Sequence, residues 1–335
     1  MLDIFLIAIL ALVVGANDAA NVFGSAIGSK MLKFRIAIIF FIIFIILGAI
    51  TNAKYPSGVY QNLLINYPSL SDIYLIILPV ILVTLISLTF KIPSSISQSI
   101  IFSILGFSIA KGLSIDQDLF TKLIYFWIAT PILAIFLSIL FCYLINAIIG
   151  LLNLNVFQVD YQIRLSLIIF GCLAAYALGS NLTASIVGVY SPFLSFNIDF
   201  QGYQILVDDK NLYFFGSLFI GLGALILSQK ILQSVGSQIS KITPISALSI
   251  LLTQIVILLS FSSGSLINKI NLILPFEIFA MPLSASHITF ASIVGVASFN
   301  KFREIKPTYT FKIIISWFTI PLFVALFSYL ISSKF

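Results

Sequence analysis

Long apolar runs dominate this chain and limit what it can fold into. A membrane-spanning helix needs about 20 mostly apolar residues, and ten stretches qualify: residues 2–28, 34–53, 72–91, 93–110, 120–148, 162–190, 212–232, 245–263, 282–299 and 308–332. Only 8% of the residues are charged, against about 25% in soluble domains, which is too few to cover a surface in water. The sequence therefore predicts an all-α, multi-pass protein of the cell membrane, surrounded by lipid.

The remaining composition argues against several other classes of protein. The net charge is +6, but the basic residues are scattered between apolar runs, so we expect no nucleic-acid partner. Cys142 and Cys172 lie inside apolar runs and are predicted to pack rather than to form a disulfide. The first apolar run lacks a preceding basic segment, so it reads as a membrane segment and not as a cleaved signal peptide.

Three landmarks recur along the chain in the same order. GANDAANVFG (15–24) matches GSNLTASIVG (179–188), and IPSSISQSIIFSILG (92–106) matches MPLSASHITFASIVG (281–295). Further on, WIATP (127–131) corresponds to WFTIP (317–321). An ordered recurrence of this kind indicates a duplicated unit, with residues 1–150 as the first repeat and residues 151–335 as the second.

The distribution of charge predicts the orientation of the segments. Lys30, Lys33 and Arg35 follow the first segment, which places that end in the cytoplasm. Alternating the ten segments also puts Lys91, Arg164, Lys230, Lys241, Lys301, Arg303 and Lys306 inside, and Asp72, Asp116, Asp118, Asp199, Asp208 and Asp209 outside. Both termini then lie outside. Five segments per repeat is an odd number, so the repeats must be inverted, as in secondary transporters that bind their substrate near the membrane midplane.

The first and sixth segments are predicted to be broken or hairpin-like. Each holds glycine and asparagine in mid-run, where a helix would be weakened. Irregular backbone at membrane depth is tolerated where it is buried in protein or lines a watery cavity. This pattern suggests that the two segments contribute to a central site.

Asp18 is the only acidic residue deep within an apolar span. An acid inside the membrane indicates function by default, because burying its charge in lipid is costly. Asn17 and Asn21 add oxygen ligands that suit sodium, or the carboxylate could hold a proton. The alternative is that Asp18 lies near the water interface or merely caps a half-helix.

The matched Pro-Ser segments are the candidate anion site. Ser94, Ser95, Ser97 and Gln98 begin one helix, and Ser284, Ser286, His287 and Thr289 begin the other. No Lys or Arg lies in mid-span, so an oxyanion would depend on hydroxyls and on the free N–H groups at the helix N-termini. The alternative is that the serines only allow close helix packing. His287, the only histidine, could relay a proton, bind the anion or simply pack. Glu277 is expected at the interface.

These motifs resemble the inorganic phosphate transporter (PiT) family, which also includes sulfate permeases. The resemblance rests on GANDAANVFGSAIGS, on SASHITFASIVGV, on the basic stretch LSQKILQSVGSQISKITP (227–244) and on WFTIP, and it covers essentially the whole chain. It implies a cation-coupled symporter of two inverted repeats that forms a homodimer.

The chain departs from the family pattern at three positions. Leu182 replaces the aspartate of the second signature, and Ser185 replaces its final asparagine. Gln98 stands where the first Pro-Ser segment of the family has histidine. These changes leave open how many cations are coupled to transport.

Together these observations predict a phosphate transporter with no organic cofactor, coupled to sodium or protons. The predicted substrate ligands are Ser95, Ser97, Gln98, Asn181, Thr183, Ser284, Ser286 and His287, and the predicted cation ligands, for sodium, are Asn17, Asp18 and Asn21. A sulfate permease and a passive anion channel remain as alternatives. An intramembrane enzyme is not supported, because the sequence shows no metal-binding cluster.

Overall fold

A computed structural model describes residues 2–64, 69–90, 92–152, 155–191, 193, 196–200, 203–228, 242–273, 275, 277–299 and 307–335. Several predictions concern residues outside these ranges. They include most of the basic stretch 227–244 and six residues expected on the cytoplasmic side, namely Lys91, Lys230, Lys241, Lys301, Arg303 and Lys306.

The described part of the chain is helical apart from one short hairpin and an isolated β-bridge. The helices are α1 (Leu2–Gly28), α2 (Phe34–Asn52), α3 (Lys54–Asn62), α4 (Leu70–Thr89), α5 (Ile96–Lys111), α6 (Gln117–Leu152), α7 (Val156–Val187), α8 (Asp209–Leu227), α9 (Pro244–Ser262), α10 (Gly264–Asn271), α11 (Ala285–Phe299) and α12 (Pro307–Ser332). Strands β1 (Phe196–Phe200) and β2 (Tyr203–Val207) pair antiparallel between α7 and α8.

Eight helices within the described residues are long and apolar enough to cross a membrane: α1, α2, α4, α6, α7, α8, α9 and α12. The predicted fourth and ninth segments correspond to α5 and α11, which have 16 and 15 residues. At about 1.5 Å per residue, these two helices are shorter than the roughly 30 Å hydrocarbon layer. Each follows a non-helical stretch, residues 92–95 and 277–284.

The prediction that the first and sixth segments are broken is wrong, because α1 and α7 are continuous helices. Their glycines serve helix contact instead. A Cβ atom on Gly15 would overlap the carbonyl oxygen of Ile220 in α8, and one on Gly179 would overlap that of Ile45 in α2. Small residues allow such backbone approach between membrane helices.

The asparagines of these helices point sideways, toward the two non-helical stretches. The side chain of Asn17 donates to the Ser94 carbonyl oxygen at 3.0 Å. Asn181 makes two bonds to Leu283, accepting from its N–H at 2.9 Å and donating to its carbonyl oxygen at 2.8 Å. Ser94 and Leu283 are each 1% exposed. Buried peptide groups need hydrogen-bond partners, and these asparagines supply them. The interruptions of helical structure near the site therefore lie at residues 92–95 and 281–284, and not in the first and sixth segments.

Helix packing brings the two non-helical stretches to the interior. α1 packs on α8, and α7 packs on α2; α5 packs on α12, and α11 packs on α6. Cys142 and Cys172 are buried and free, which confirms that they are packing residues.

Candidate functional site

A buried carboxylate with two amide partners forms one side of the site. Asp18 is 2% exposed, and it accepts hydrogen bonds from the side chains of Asn17, at 3.1 Å, and Asn21. The ion pair found among the described residues joins Arg164 to Asp160, so no basic side chain there neutralises Asp18. Because α1 is continuous, Asp18 is not the cap of a half-helix. Its environment suits an external cation or a proton as the neutralising partner.

Gln254 of α9 connects this cluster to the second Pro-Ser segment. Its side-chain amide donates to the Asn21 carbonyl oxygen at 2.5 Å and to the Thr289 hydroxyl at 2.6 Å. Gln254 is not among the residues that the sequence motifs predicted for the site. The signal was a lone amide in an otherwise apolar span, and polar groups inside the membrane are costly unless they have a role.

The first turn of α5 contacts the non-helical stretch that leads into α11, in the interior of the protein. The Ser97 hydroxyl donates to the Leu283 carbonyl oxygen at 3.1 Å. Ser95 caps α5, and Ser284 accepts from the His287 N–H at 3.3 Å and lies 3.3 Å from the Ser286 hydroxyl. The free N–H groups at both helix N-termini, with these hydroxyls, form the kind of donor set that binds oxyanions.

Hydroxyl groups of α3 and α7 form a hydrogen-bond network that reaches Ser97 in the first turn of α5. The Tyr60 hydroxyl donates to Ser185 at 2.6 Å, and Ser185 lies 3.0 Å from the Ser97 hydroxyl. Ser185 also donates to the Asn181 carbonyl oxygen at 3.0 Å. Tyr60 is fully buried, and nothing in its sequence context distinguished it, because it lies in the short helix between two apolar runs.

The predicted ligand Thr183 is not brought to these serines. It lies on α7 with its methyl group 3.5 Å from the point that a Cβ on Gly216 would occupy, and it therefore faces α8. Its hydroxyl has no hydrogen-bond partner among the described residues. Thr183 follows Asn181 by two residues, which is a rotation of about 200° around the helix axis. The Thr183 side chain therefore points away from the direction of the Asn181 side chain.

Gln98 and His287, a matched pair in the two repeats, line an apolar cavity of about 490 Å³ between α5, α6, α11 and α12. The His287 ring stacks on Trp317 with ring centroids 3.9 Å apart. Neither imidazole nitrogen has a hydrogen-bond partner within the described part of the chain. The structure thus places these two side chains at the cavity rather than among the serines. Glu277 is exposed in the stretch before α11.

Comparison with known proteins gives one family match. The family model described as "Phosphate transporter family" matches residues 14–328. That range includes both Pro-Ser segments, both glycine-asparagine motifs and both tryptophans.

Individual relatives are distant but extend along most of the chain. A "probable low-affinity inorganic phosphate transporter" of Bacillus subtilis is 26% identical over 316 residues, covering 92% of this chain and 89% of the relative. The sulfate permease CysP of the same organism is 24% identical over 294 residues, covering 85% and 73%. Among solved structures, "the sodium-dependent phosphate transporter" superposes with a TM-score of 0.74 at 17% identity, covering 99% of this chain and 98% of that one.

Proposed function

The chain belongs to the phosphate transporter family, and from this premise we propose that it carries inorganic phosphate across the membrane together with a cation. As a multi-pass membrane protein of a transporter family, it is not an enzyme. The observation that carries the proposal is the meeting of two short-helix N-termini beside a buried carboxylate that has no basic partner among the described residues.

The anion would bind between the first turns of α5 and α11. Ser95, Ser97, Ser284 and Ser286 supply hydroxyls there, and all four are 8% exposed or less. Half-helix N-termini that point at an anionic group are typical of transporters. Asn181 would act by fixing the Leu283 peptide next to these hydroxyls. The cavity location of Gln98 and His287 gives them no direct support as ligands, and their role stays a prediction.

The cation would bind at Asn17, Asp18 and Asn21. The side-chain N–H groups of both asparagines face the carboxylate in this structure; with their oxygens turned to the ion instead, the three side chains would be a ligand set suited to a hard cation. Sodium is our first choice, because the similar solved structure is named as a sodium-dependent transporter, and a proton on Asp18 is the alternative. Coupling has an energetic reason: moving each negative charge inward costs about 2.3 kcal/mol per 100 mV, so divalent phosphate needs at least two positive charges to enter without opposition.

We further propose that residues 1–150 and 151–335 are inverted repeats. Two matched asparagines of the two halves make equivalent contacts, in the bonds of Asn17 to Ser94 and of Asn181 to Leu283. The same holds for the helix contacts: α1 on α8 corresponds to α7 on α2, and α5 on α12 corresponds to α11 on α6.

Sulfate is the competing substrate. The sulfate permease CysP is among the similar proteins, and Leu182 removes a carboxylate from the second motif. Sulfate has no proton to donate at neutral pH, so its site needs donors only. Asp18, which is linked to the Ser94 carbonyl oxygen through the side chain of Asn17, is an acceptor that a protonated phosphate could use, and this favours phosphate over sulfate.

The test is transport by purified protein in vesicles with an imposed sodium or proton gradient. We expect labelled phosphate to accumulate above its external concentration, and unlabelled phosphate to compete better than sulfate. Replacement of sodium by choline at constant pH separates the two coupling ions. Stronger competition by sulfate would contradict the phosphate assignment. Uptake that stops at equal concentrations under both gradients would indicate a passive channel.

A further inference from the structure

The two tryptophans of the chain occupy matched positions but make different contacts. The Trp127 indole N–H, from the first half, donates to the Pro282 carbonyl oxygen in the second half at 3.1 Å. The Trp317 indole nitrogen is buried and has no hydrogen-bond partner in the described ranges, although its ring stacks on His287. In the sequence match Trp317 corresponds to Trp127, and Pro93 corresponds to Pro282. The counterpart of the Trp127–Pro282 bond would join the Trp317 indole N–H to the Pro93 carbonyl oxygen. That bond is not among the contacts of the described residues.

The serines show the same asymmetry in the same direction. Ser97 donates across the halves to the Leu283 carbonyl oxygen. In the sequence match, Ser286 corresponds to Ser97, and Ser94 corresponds to Leu283. Ser286 contacts the Ser284 hydroxyl and not the Ser94 carbonyl oxygen. Both differences hold residues 281–284 more firmly than residues 92–95. The tryptophan contact and the serine contact thus both hold the stretch of the second half more firmly than that of the first.

We propose that Trp127 and Trp317 are reciprocal latches of the transport cycle. In the arrangement described here, Trp127 holds Pro282. In the opposite arrangement the halves exchange roles, so that Trp317 donates to Pro93 and Trp127 is released. This inference rests on the transport function and inverted repeats proposed above: alternating access moves one inverted half against the other around the site, and in the proposal the matched contacts of the halves exchange during that movement.

The physical basis is that a buried N–H without a partner is costly. Each arrangement provides a hydrogen-bond acceptor for one indole N–H and leaves the other N–H without one. The free energy lost at one tryptophan is therefore offset by the free energy gained at the other. Two arrangements of similar free energy are what a carrier needs if it is to be populated in both. The cavity of about 490 Å³ is lined by both tryptophans and by Pro131 and Pro321, and it provides room for the indoles to move.

The experiment compares Trp127→Phe, Trp317→Phe and the double variant. Phenylalanine keeps an aromatic ring and removes the N–H. In a background of Cys142→Ser and Cys172→Ser, a single cysteine at position 95 or 284 reports which side of the membrane reaches the site, by reaction with an impermeant thiol reagent in vesicles of each orientation. Labelling is done without phosphate, so its result does not depend on the substrate, and phosphate uptake by the unmodified protein tests the transport function separately.

We expect the two single variants to change the ratio of inside to outside labelling in opposite directions, by about twofold to tenfold, the population change that one net hydrogen bond produces. The double variant should return close to the original ratio, because each arrangement then loses one bond. Changes in the same direction, or an unchanged ratio in Trp317→Phe, would overturn the proposal.

Should a variant fail to fold, the unmodified protein with ¹⁵N-labelled tryptophan carries the test. Its two indole N–H signals should gain and lose hydrogen-bonded population reciprocally when sodium and phosphate are added, and a change in one signal alone would refute the latches.

Discussion

At the scale of single residues, Asp18 determines the charge of the site. Its carboxylate is surrounded by amides and not by a basic group of the described chain. A buried charge of this kind is stable only when it is neutralised, and a transported cation can do that while drawing in an anion. Each ligand should then raise the affinity for the other by the same factor.

Asp18→Asn is therefore expected to abolish accumulation of phosphate against its gradient and to leave exchange of phosphate for phosphate. The amide is similar in shape but cannot bind a cation by charge. Uptake and exchange of labelled phosphate in vesicles measure the two activities. Asp160→Asn is the matched control, because that carboxylate is half exposed. Accumulation by the Asp18 variant with unchanged sodium or pH dependence would show that Asp18 is structural.

Ser97→Ala and Ser286→Ala are expected to weaken phosphate binding without unfolding the protein. Each removes one hydroxyl from the proposed anion site, and a hydrogen bond to a charged group is worth about 1.5–3 kcal/mol, or roughly a tenfold to 150-fold loss of affinity. Equilibrium binding of labelled phosphate to purified protein measures the loss. Ser260→Ala, whose hydroxyl is on the exposed side of α9, should bind like the original chain. Wild-type binding by both variants would exclude the Pro-Ser segments as the site.

At the scale of helices, the glycines of the first and sixth segments were predicted to mark breaks, whereas in the structure they allow helices to contact each other. The residue pattern alone does not separate a break from a contact, because both place glycine in mid-span. The structure assigns contact to Gly15 and Gly179 and moves the breaks to residues 92–95 and 281–284. The repeat singled out both pairs of matched motifs, but it could not show which pair contains the non-helical residues. Gln254 and Tyr60 were missed because each comes from a helix outside the matched motifs.

Gly179→Ala is expected to destabilise the protein, whereas Gly150→Ala should be neutral or slightly stabilising. A methyl group at position 179 overlaps the backbone of α2, while one at position 150 meets nothing within 4 Å. Overpacking typically costs about 1–3 kcal/mol, and alanine in an open helical position gains about 0.5–1 kcal/mol over glycine. Thermal unfolding in detergent measures both changes. Equal melting temperatures for the two variants would contradict the close approach of α7 to α2.

At the scale of the whole molecule, the apolar pattern correctly predicted a helical membrane protein, and the residue motifs correctly predicted its family. Eight long helices and two short ones account for the ten predicted segments. The two short helices were predicted as spans because hydropathy counts the non-helical residues 93–95 and 282–284 together with the helices that follow them. The homodimer that the resemblance implies stays a prediction.

The orientation across the membrane is also a prediction. Leu64 pairs with Ile115, so the end of α3 and the start of α6 lie on one face, which the charge pattern assigns to the outside. Lys33→Cys should therefore react with an impermeant reagent only from the cytoplasm, and Lys54→Cys only from outside. Each cysteine is the control for the other. Reaction of position 33 in intact cells would reverse the assignment.

The two halves differ most where a second cation site would lie. Leu182 occupies the position that matches Asp18, and it is 2% exposed. Ser185, which matches Asn21, is engaged by Tyr60 and Ser97. Hydroxyls and a leucine provide no charge to hold a cation there. We therefore expect one half to bind the coupling cation and the other to have lost this ability.

Leu182→Asp should restore part of the second site and make uptake depend more steeply on sodium concentration. The new carboxylate would lie beside Asn181 and the hydroxyls of Ser185 and Tyr60, and it would need a cation because an unpaired buried charge is costly. Leu182→Asn is the matched control, since it adds polarity of the same shape without charge. The measurement is the sodium dependence of phosphate uptake for both variants, after each has been shown to be folded by its melting temperature. If the aspartate and asparagine variants had the same sodium dependence as the original chain, the space around residue 182 would be closed to cations, and coupling would depend on Asp18 alone.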